Sequence, residues 1–353
     1  MMLSPLRSGY ALPARREHHG DTNRQRLHLG SSEICPNKPS HLWNLVAKSM
    51  IEKPEHQTGH SDALLLHVVD GESVIDGNLG PWGLFIRFLR APFVSAYRHR
   101  DLIRVILKRE LDERFKGSQA GWVWALLAPL LALLTYTFAF GGSAVLPNKT
   151  AAKSAYDYSL FVFGGLIAFN FFAEMTYRAP SLLQEYAHFI KQTLFPAEML
   201  AVISTLRASA YAGIGLALML VAQLAFTGSL SWTVIFLPLW AISFMAFLVG
   251  LTWFLSALGA FTRDVSYLMM TIAPLLLFAT PVFFSQEVLP PPMDVLIYAN
   301  VLTGFVEIVR DLVFFGRLPG LAVTAWTFFI SLAMFWFGYW FFNQNRANIA
   351  DVL

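Results

Sequence analysis

Apolar residues recur at three- and four-residue steps from Tyr97 to Lys116: Leu102, Ile103, Ile106, Leu107, Leu111 and Phe115 form one stripe. Arg100, Arg104, Lys108, Arg109 and Arg114 occupy the other faces, and residues 87–116 hold nine Lys/Arg against four Asp/Glu. This pattern predicts a basic amphipathic helix lying in a membrane interface, with its cations toward lipid phosphates. An ordinary surface helix of a soluble domain has the same spacing. The C-terminal flank distinguishes the two: Gly117 to Gly121 offers a turn, Trp122 and Trp124 mark an interface, and no charged residue then appears before Lys149.

A bilayer core takes roughly 20 apolar residues per helix. Charge-free runs on that scale predict spans over 122–141, 158–173, 200–226, 232–258, 267–284 and 321–342. The second is short unless it continues past Glu174. Residues 208–262 carry no Asp, Glu, Lys or Arg and are too long for one helix, and "TGSLS" (Thr227 to Ser231) supplies a turn in their middle. The expected fold class is therefore an all-α integral membrane protein with six transmembrane helices and an N-terminal amphipathic interface helix.

Three connections carry patterns of their own. Between the second and third spans, Pro180 and Ser181 suit a helix start. Leu182, Leu183, Tyr186, Ile190 and Leu194 make a second apolar stripe, Gln184, Glu185, His188 and Lys191 a polar face, and Pro196 an end. A short surface helix presented to a partner and a linker lying on lipid both fit that spacing. The loop "GAFTRDVSY" sets Arg263 beside Asp264; adjacent residues do not face one another on a helix, so each reaches a different neighbour. After "LPPP" (Leu289 to Pro292), the stretch from Met293 to Gly316 is apolar but broken by Asp294, Asn300, Thr303, Gly304, Glu307, Arg310 and Asp311. Two short helices dipping back into the outer leaflet fit this mixture, with Glu307 and Arg310 one turn apart and able to pair; a surface hairpin is the alternative.

Lys and Arg in short loops set orientation. The N-terminal flank, Arg178, Lys191, Arg263 and Arg346 fall on one side, against Lys149, Lys153, Arg310 and Arg317 on the other. Both termini are expected in the cytoplasm, with residues 343–353 as a cytoplasmic tail. Residues 1–80 form a polar, His- and Arg-rich N-terminal cytoplasmic extension, 81–121 the interface region, and 122–342 the transmembrane domain. No apolar stretch near the N-terminus resembles a signal peptide, so insertion is expected to rest on the later spans.

Composition narrows the chemistry. Charged residues make up 14% of the 353, where a soluble domain has about 25%; mean hydropathy is +0.51. A single cysteine, Cys35, excludes an intrachain disulfide and a cysteine-cluster metal site. There is no GxxxxGK[ST] phosphate loop, HExxH or GxSxG, and the nine histidines lack ligand spacing. No catalytic, cofactor or metal residues are expected on this chain, and nothing suggests nucleic-acid binding. A membrane-embedded transferase would gather acidic or His residues at one membrane face, and no such cluster is seen. Glu174 and Arg207 sit near span ends rather than at mid-membrane, so an ion-coupled carrier is disfavoured. A transporter of this kind takes its energy from another subunit.

The residues that carry a family likeness run in order from about Trp82 to the C-terminus. "RDLIRVILKRELDERFKGSQAGWVWALLAPLLALLTYTFAFGGS" resembles the opening of the polysaccharide-export permeases of the ABC-2 family: a basic helix, Lys-Gly-Ser, a Gly-Trp-x-Trp step, Pro-Leu-Leu and Tyr-Thr-Phe. "EYAHFIKQTLFPAEML", "TRDVSYL", "TPVFFS" and "NVLTGFVEIVRDLVFFG" continue it. Ala128 stands where members often have Asn, and Val301 where Pro commonly follows the Asn.

The resemblance implies a homodimeric channel in a bacterial cytoplasmic (inner) membrane. Two nucleotide-binding ATPase subunits would carry ATP and Mg, and the cargo would be a polyprenyl-diphosphate-linked polysaccharide, O-antigen foremost. An ABC-2 drug or small-lipid exporter is the alternative within the same architecture. The resemblance makes Gln184, Glu185, Tyr186, His188 and Lys191 an ATPase-coupling helix between spans 2 and 3. Arg100, Arg104, Lys108, Arg109 and Arg114 belong to its interface helix, and Asn300, Glu307, Arg310 and Asp311 to its outer gate. Tyr136, Phe138, Phe140, Phe161 and Phe169 are candidate channel aromatics, since C–H faces of sugars slide on aromatic rings. Phe is also ordinary core filler. Arg100, Arg104 and Lys108 suit the diphosphate of the lipid carrier, for which bulk anionic lipid competes.

Overall fold

A computed structural model describes residues 81–114, 116–141, 155–192, 196–284 and 300–353. Every regular element among the described residues is helical. Residues 1–80, the two outer-side lysines Lys149 and Lys153, Leu194, Asp294 and the first of the two re-entrant helices expected before Asn300 lie outside them.

The basic N-terminal region forms two helices, not one. α1 (Pro81–Arg98) and α2 (Arg100–Glu113) meet at His99, whose backbone N–H donates to the Ser95 carbonyl at 3.0 Å. α1 is anchored by aromatics: Phe88 lies between Trp336 and Tyr339, with ring centroids 5.7 and 5.5 Å away, and Phe93 stacks on Phe335 at 5.8 Å. The corner that follows α2 needs two residues in the left-handed region, and Gly117 (φ +86°) and Gly121 (φ +48°) provide them. Beyond it α3 (Val123–Gly141) begins, with Trp122 and Trp124 exposed at its start.

α4 (Ala155–Glu185) is the centre of the bundle, packing against α3, α6 (Met199–Thr227), α7 (Leu237–Phe261), α8 (Asp264–Ala279) and α9 (Val301–Arg310). The second span does continue past Glu174, the longer of the two readings the sequence allowed, and the helix start expected at Pro180 is corrected: α4 runs unbroken through it to Glu185. Proline inside a helix costs a hydrogen bond and is tolerated where a neighbour covers the gap. The bond that Pro180 removes is the one to the Thr176 carbonyl a turn earlier. Beside Pro180 itself, the backbone of Gly259 on α7 packs so closely that a Cβ at Gly259 would overlap the Pro180 carbonyl oxygen. α5 (Ala187–Gln192) is only six residues long.

Gly228 closes α6 in the left-handed conformation, its N–H donating to the Leu224 carbonyl at 2.9 Å. The turn expected at Thr227 to Ser231 is thus present. A 3-10 turn (Trp232–Phe236) leads into α7. α9 is N-capped by Asn300, whose Oδ1 accepts from the Leu302 N–H at 3.0 Å. A π-helical turn (Asp311–Phe315) continues it to Gly316, and α10 (Leu321–Val352) closes the chain.

Among the described residues, four stretches are long and apolar enough to cross a membrane: Tyr158–Glu185, Met199–Thr227, Trp232–Phe261 and Leu321–Ile349. Two apolar helices are shorter, Val123–Ala139 and Asp264–Ala279. Large apolar side chains face outward along them, including Phe138, Leu239, Ile242, Leu275, Phe278, Phe329 and Leu332. This is the surface of an all-α, multi-pass membrane protein, for which lipid rather than water is the solvent.

Candidate functional site: a charged clamp beneath the bundle

At the end of the bundle where α2 crosses α4 and α6, six ionic side chains and a tyrosine interlock. Glu110 stands at its centre, its side chain only 4% exposed. Arg178 of α4 grips it through both guanidinium nitrogens, NH1 to Oε2 at 2.8 Å and NH2 to Oε1 at 3.0 Å. Tyr186, in the turn before α5, donates its hydroxyl to Oε1. Arg207 of α6 places Nε 3.4 Å from Oε2 and donates through NH2 to Glu174 at 3.0 Å. Arg114 also donates to Glu174, at 2.9 Å, and lies over the Tyr211 ring at 4.1 Å. Arg178 reaches Glu185 as well, at 3.3 Å. Three arginines and three carboxylates balance, as a half-buried ionic network requires.

Burial pushes the Glu110 carboxyl up, but the hydrogen bonds and charge of Arg178, with Tyr186 and Arg207, outweigh it and hold the group below the usual carboxylate range. The Tyr186 phenol is pushed up by burial and by its bond to Glu110, so it stays a donor. A depressed carboxyl contributes stability that is complete above its unfolded-state value and is lost as pH falls through its folded-state value. Glu110→Gln, which leaves two arginines facing an uncharged amide, is expected to cost about 3–5 kcal/mol near neutral pH. That difference should shrink only below the ordinary carboxylate range. Thermal unfolding of purified wild type and variant across pH checks this, and a gap that closes already at pH 6 would contradict it.

Of the residues the sequence marked for coupling, Gln184, Glu185, His188 and Lys191 are exposed, whereas Tyr186 turns inward to the clamp. Gln184 donates to the Gly259 carbonyl at 3.1 Å. A cavity of about 370 Å³ opens beside it, lined by Ala187, Ala260, Arg263, Val352 and Leu353. The basic residues of α2 divide. Arg104 pairs with Asp101 and Arg109 with Glu113 on the helix itself, Arg100 lies over Tyr97 at 4.8 Å, and Lys108 is exposed. Such exposed local pairs contribute little. Arg114 alone of the five joins the clamp. Glu110 escaped the site reading although a signal was present: it falls seven residues after Ile103, on the apolar stripe, where a carboxylate has to find a partner.

The outer-gate residues separate in the same way. Asn300 caps α9 and donates to Thr280 Oγ1 at 2.8 Å. Arg310 is buried and donates to the carbonyls of Pro281 and Val282, each at 2.6 Å, with its guanidinium 3.5 Å from the centre of the Phe161 ring. Asp311 pairs with Arg317 at 2.8 Å. Glu307 lines a mainly apolar cavity of about 360 Å³ between α9 and α10. The channel aromatics do not share one face. Phe138 is almost fully exposed, Phe169 is buried beside Phe172, Tyr136 and Phe161 are half-buried, and the Phe140 side chain is outside the described residues.

Sequence comparison supplies the context for these parts. Over 257 residues the chain is 23% identical to a Myxococcus xanthus protein named O-antigen export system permease protein RfbA, covering 72% of this chain and 96% of that one. Two Klebsiella pneumoniae proteins of the same name are 26% and 25% identical, each with 72% of this chain and 95% of the relative covered. The family model for ABC-2 type transporters matches residues 101–314, from the first turn of α2 to the π-helical turn after α9. More than half of the 353 residues lie within that match, and the chain belongs to the ABC-2 type transporter family.

Proposed function

We propose that this chain is the membrane-embedded permease subunit of an ABC exporter of O-antigen. The observation that carries the reading is the near end-to-end coverage of three relatives named as O-antigen export permeases, combined with the family match over α2 to α9. In this reading the cargo travels on a polyprenyl diphosphate carrier. Two copies of the chain enclose its path across the bacterial inner membrane, and two ATPase subunits, which hold the ATP and Mg, sit beneath. Catalysis of ATP hydrolysis belongs to them and not to this chain.

The same reading takes α3 and α8 as the first and fifth of six spans. Alone, 17 or 16 residues extend about 25 Å, short of a core of about 30 Å. Trp122 before α3 and residues 280–284 after α8 lengthen both. With α2 and α5 on the cytoplasmic side, Lys191, Arg263 and Arg346 join the basic flank there, as the distribution of positive charge requires. The turn and α5 then form the coupling segment, with His188 and Lys191 directed to the ATPase, and α2 is the interface helix. α9 with its π-helical turn belongs to the outer gate. Tyr136, Phe138 and Phe161 remain candidates for the path itself.

Deleting the gene tests the function directly. Surface O-antigen should disappear while lipid-linked glycan accumulates inside the cell, and the chain returned on a plasmid should reverse both. Normal surface glycan with raised sensitivity to a small amphipathic compound would instead assign a drug or small-lipid exporter.

A further inference from the structure

We propose that Glu110 is a positioning residue that carries movement of the coupling segment into the interface helix and the ends of α4 and α6. The inference rests on the permease reading above and assigns within it a residue that neither motif nor charge count had singled out. Four groups from α4, the turn that directly follows it and α6 converge on this one carboxylate: both guanidinium nitrogens of Arg178, the Tyr186 hydroxyl and Arg207 Nε. A fork-on-carboxylate contact fixes orientation as well as distance, so α2 cannot rotate without Arg178 following.

Tyr186 is the decisive member. It immediately precedes the six-residue helix that faces the ATPase in this reading, and its ring lies 6.1 Å from that of Phe189 on that helix. Displacing α5 therefore moves the phenol, and the phenol is bonded to an otherwise enclosed anion on α2. Breaking that bond exposes no new partner for Glu110, because its side chain is 4% exposed, so the two segments move together or the clamp opens as a unit. The other charges of α2 lack this reach. Asp101 and Glu113 pair within the helix at three- and four-residue spacing and can transmit nothing beyond it. A second tie runs from the end of α2 to α6, where Tyr211 donates its hydroxyl to the Leu111 carbonyl at 3.3 Å and carries Arg114 on its ring. Force arriving at Glu110 thus reaches α4 through Arg178 and α6 through Arg207.

The experiment reconstitutes the full chain with its cognate ATPase in phospholipid vesicles and measures ATP hydrolysis, and lipid-linked glycan translocated per ATP. Glu110→Gln keeps the size of the side chain and removes the charge; Tyr186→Phe removes only the hydroxyl. Asp112→Asn removes a carboxylate from the exposed face of the same helix and should match wild type. Glu110→Gln should keep hydrolysis within about twofold and lower glycan moved per ATP at least tenfold, a free-energy change of about 1.4 kcal/mol or more. Tyr186→Phe should shift the ratio in the same direction by a smaller factor. Hydrolysis and transport falling in proportion, or a wild-type ratio in both variants, would overturn the assignment. If Glu110→Gln fails to assemble, Tyr186→Phe decides: a lowered ratio sustains the proposal and an unchanged one ends it. Absence of ATP-driven glycan transport by the wild-type complex would instead count against the permease reading.

Discussion

Gly250→Leu is expected to abolish accumulation of folded protein in the membrane. Gly250 lies midway along α7, where α10 crosses so closely that backbone meets backbone. A Cβ at Gly250 would stand 2.5 Å from the Met334 carbonyl carbon and 2.6 Å from the Phe335 Cα, and one at Gly338 would overlap the Gly250 carbonyl. In lipid no hydrophobic force pulls helices together, so van der Waals contact and interhelical hydrogen bonds must suffice, and small residues allow both. Around this crossing Ser243 donates to Ser331 at 3.1 Å, and the fully buried Trp253 packs on Phe335 and Tyr339 with centroids 5.2 and 5.1 Å away. A longer side chain would push the helices apart and break all three.

Overpacking by even small increments costs about 1–3 kcal/mol, so Gly250→Ala should lower the melting temperature and Gly250→Leu should leave no monodisperse peak on size-exclusion chromatography in detergent. Gly213 on α6 is the comparison. A Cβ there meets nothing within 4 Å, and exchanging a mid-helix glycine for alanine gains up to about 1 kcal/mol. Gly213→Ala should therefore be neutral or stabilising. Equal behaviour of the two alanine variants would sink the close-crossing account.

Those two glycines show where sequence reading stops. Both sit in charge-free apolar runs, and nothing in the run says which one has a neighbouring helix against it. The runs themselves were legible because lipid forces every backbone polar group into helical bonds, so residues 208–262 had to fold as two helices about a turn, and they do. Pro180 misled for the complementary reason. Its usual place is a helix start, but here α4 continues through it, packed against the backbone of Gly259 on a helix far along the chain. Glu110 was readable as an anomaly on the apolar stripe of α2. Its principal partner was not, since Arg178 lies 68 residues further along and only the fold brings them together. Reading by charge offered Glu307 as the partner of Arg310, and its charge does act on the guanidinium; the carbonyls of Pro281 and Val282 that hold the guanidinium have no sequence signature.

Arg310→Leu should consequently destabilise the protein by about 2–6 kcal/mol and abolish export. α8 ends at Ala279, and the carbonyls that follow it have no helical partner. Arg310 supplies the donors: NH1 serves Pro281 at 2.6 Å and Phe284 at 3.4 Å, and NH2 serves Val282 at 2.6 Å. Each buried carbonyl left unpaired costs about 1–3 kcal/mol, and two short bonds are lost. Replacing a buried cation with an apolar group can be favourable when its partners leave with it. Here the hydrogen-bond acceptors that hold the guanidinium are main chain and stay, and Glu307 loses an opposite charge, so both effects make the change unfavourable. Arg310→Lys tests geometry against charge: a single ammonium on a longer flexible stem does not span Pro281 and Val282 as the fork does, and should recover only part of the loss. Thermal unfolding of both variants with surface glycan as the second readout distinguishes these cases. A leucine variant that melts and exports like wild type would show that α9 holds its place without the arginine, through the bonds that Gln223, Thr233 and Trp240 make to the carbonyls of Val313, Leu312 and Phe305.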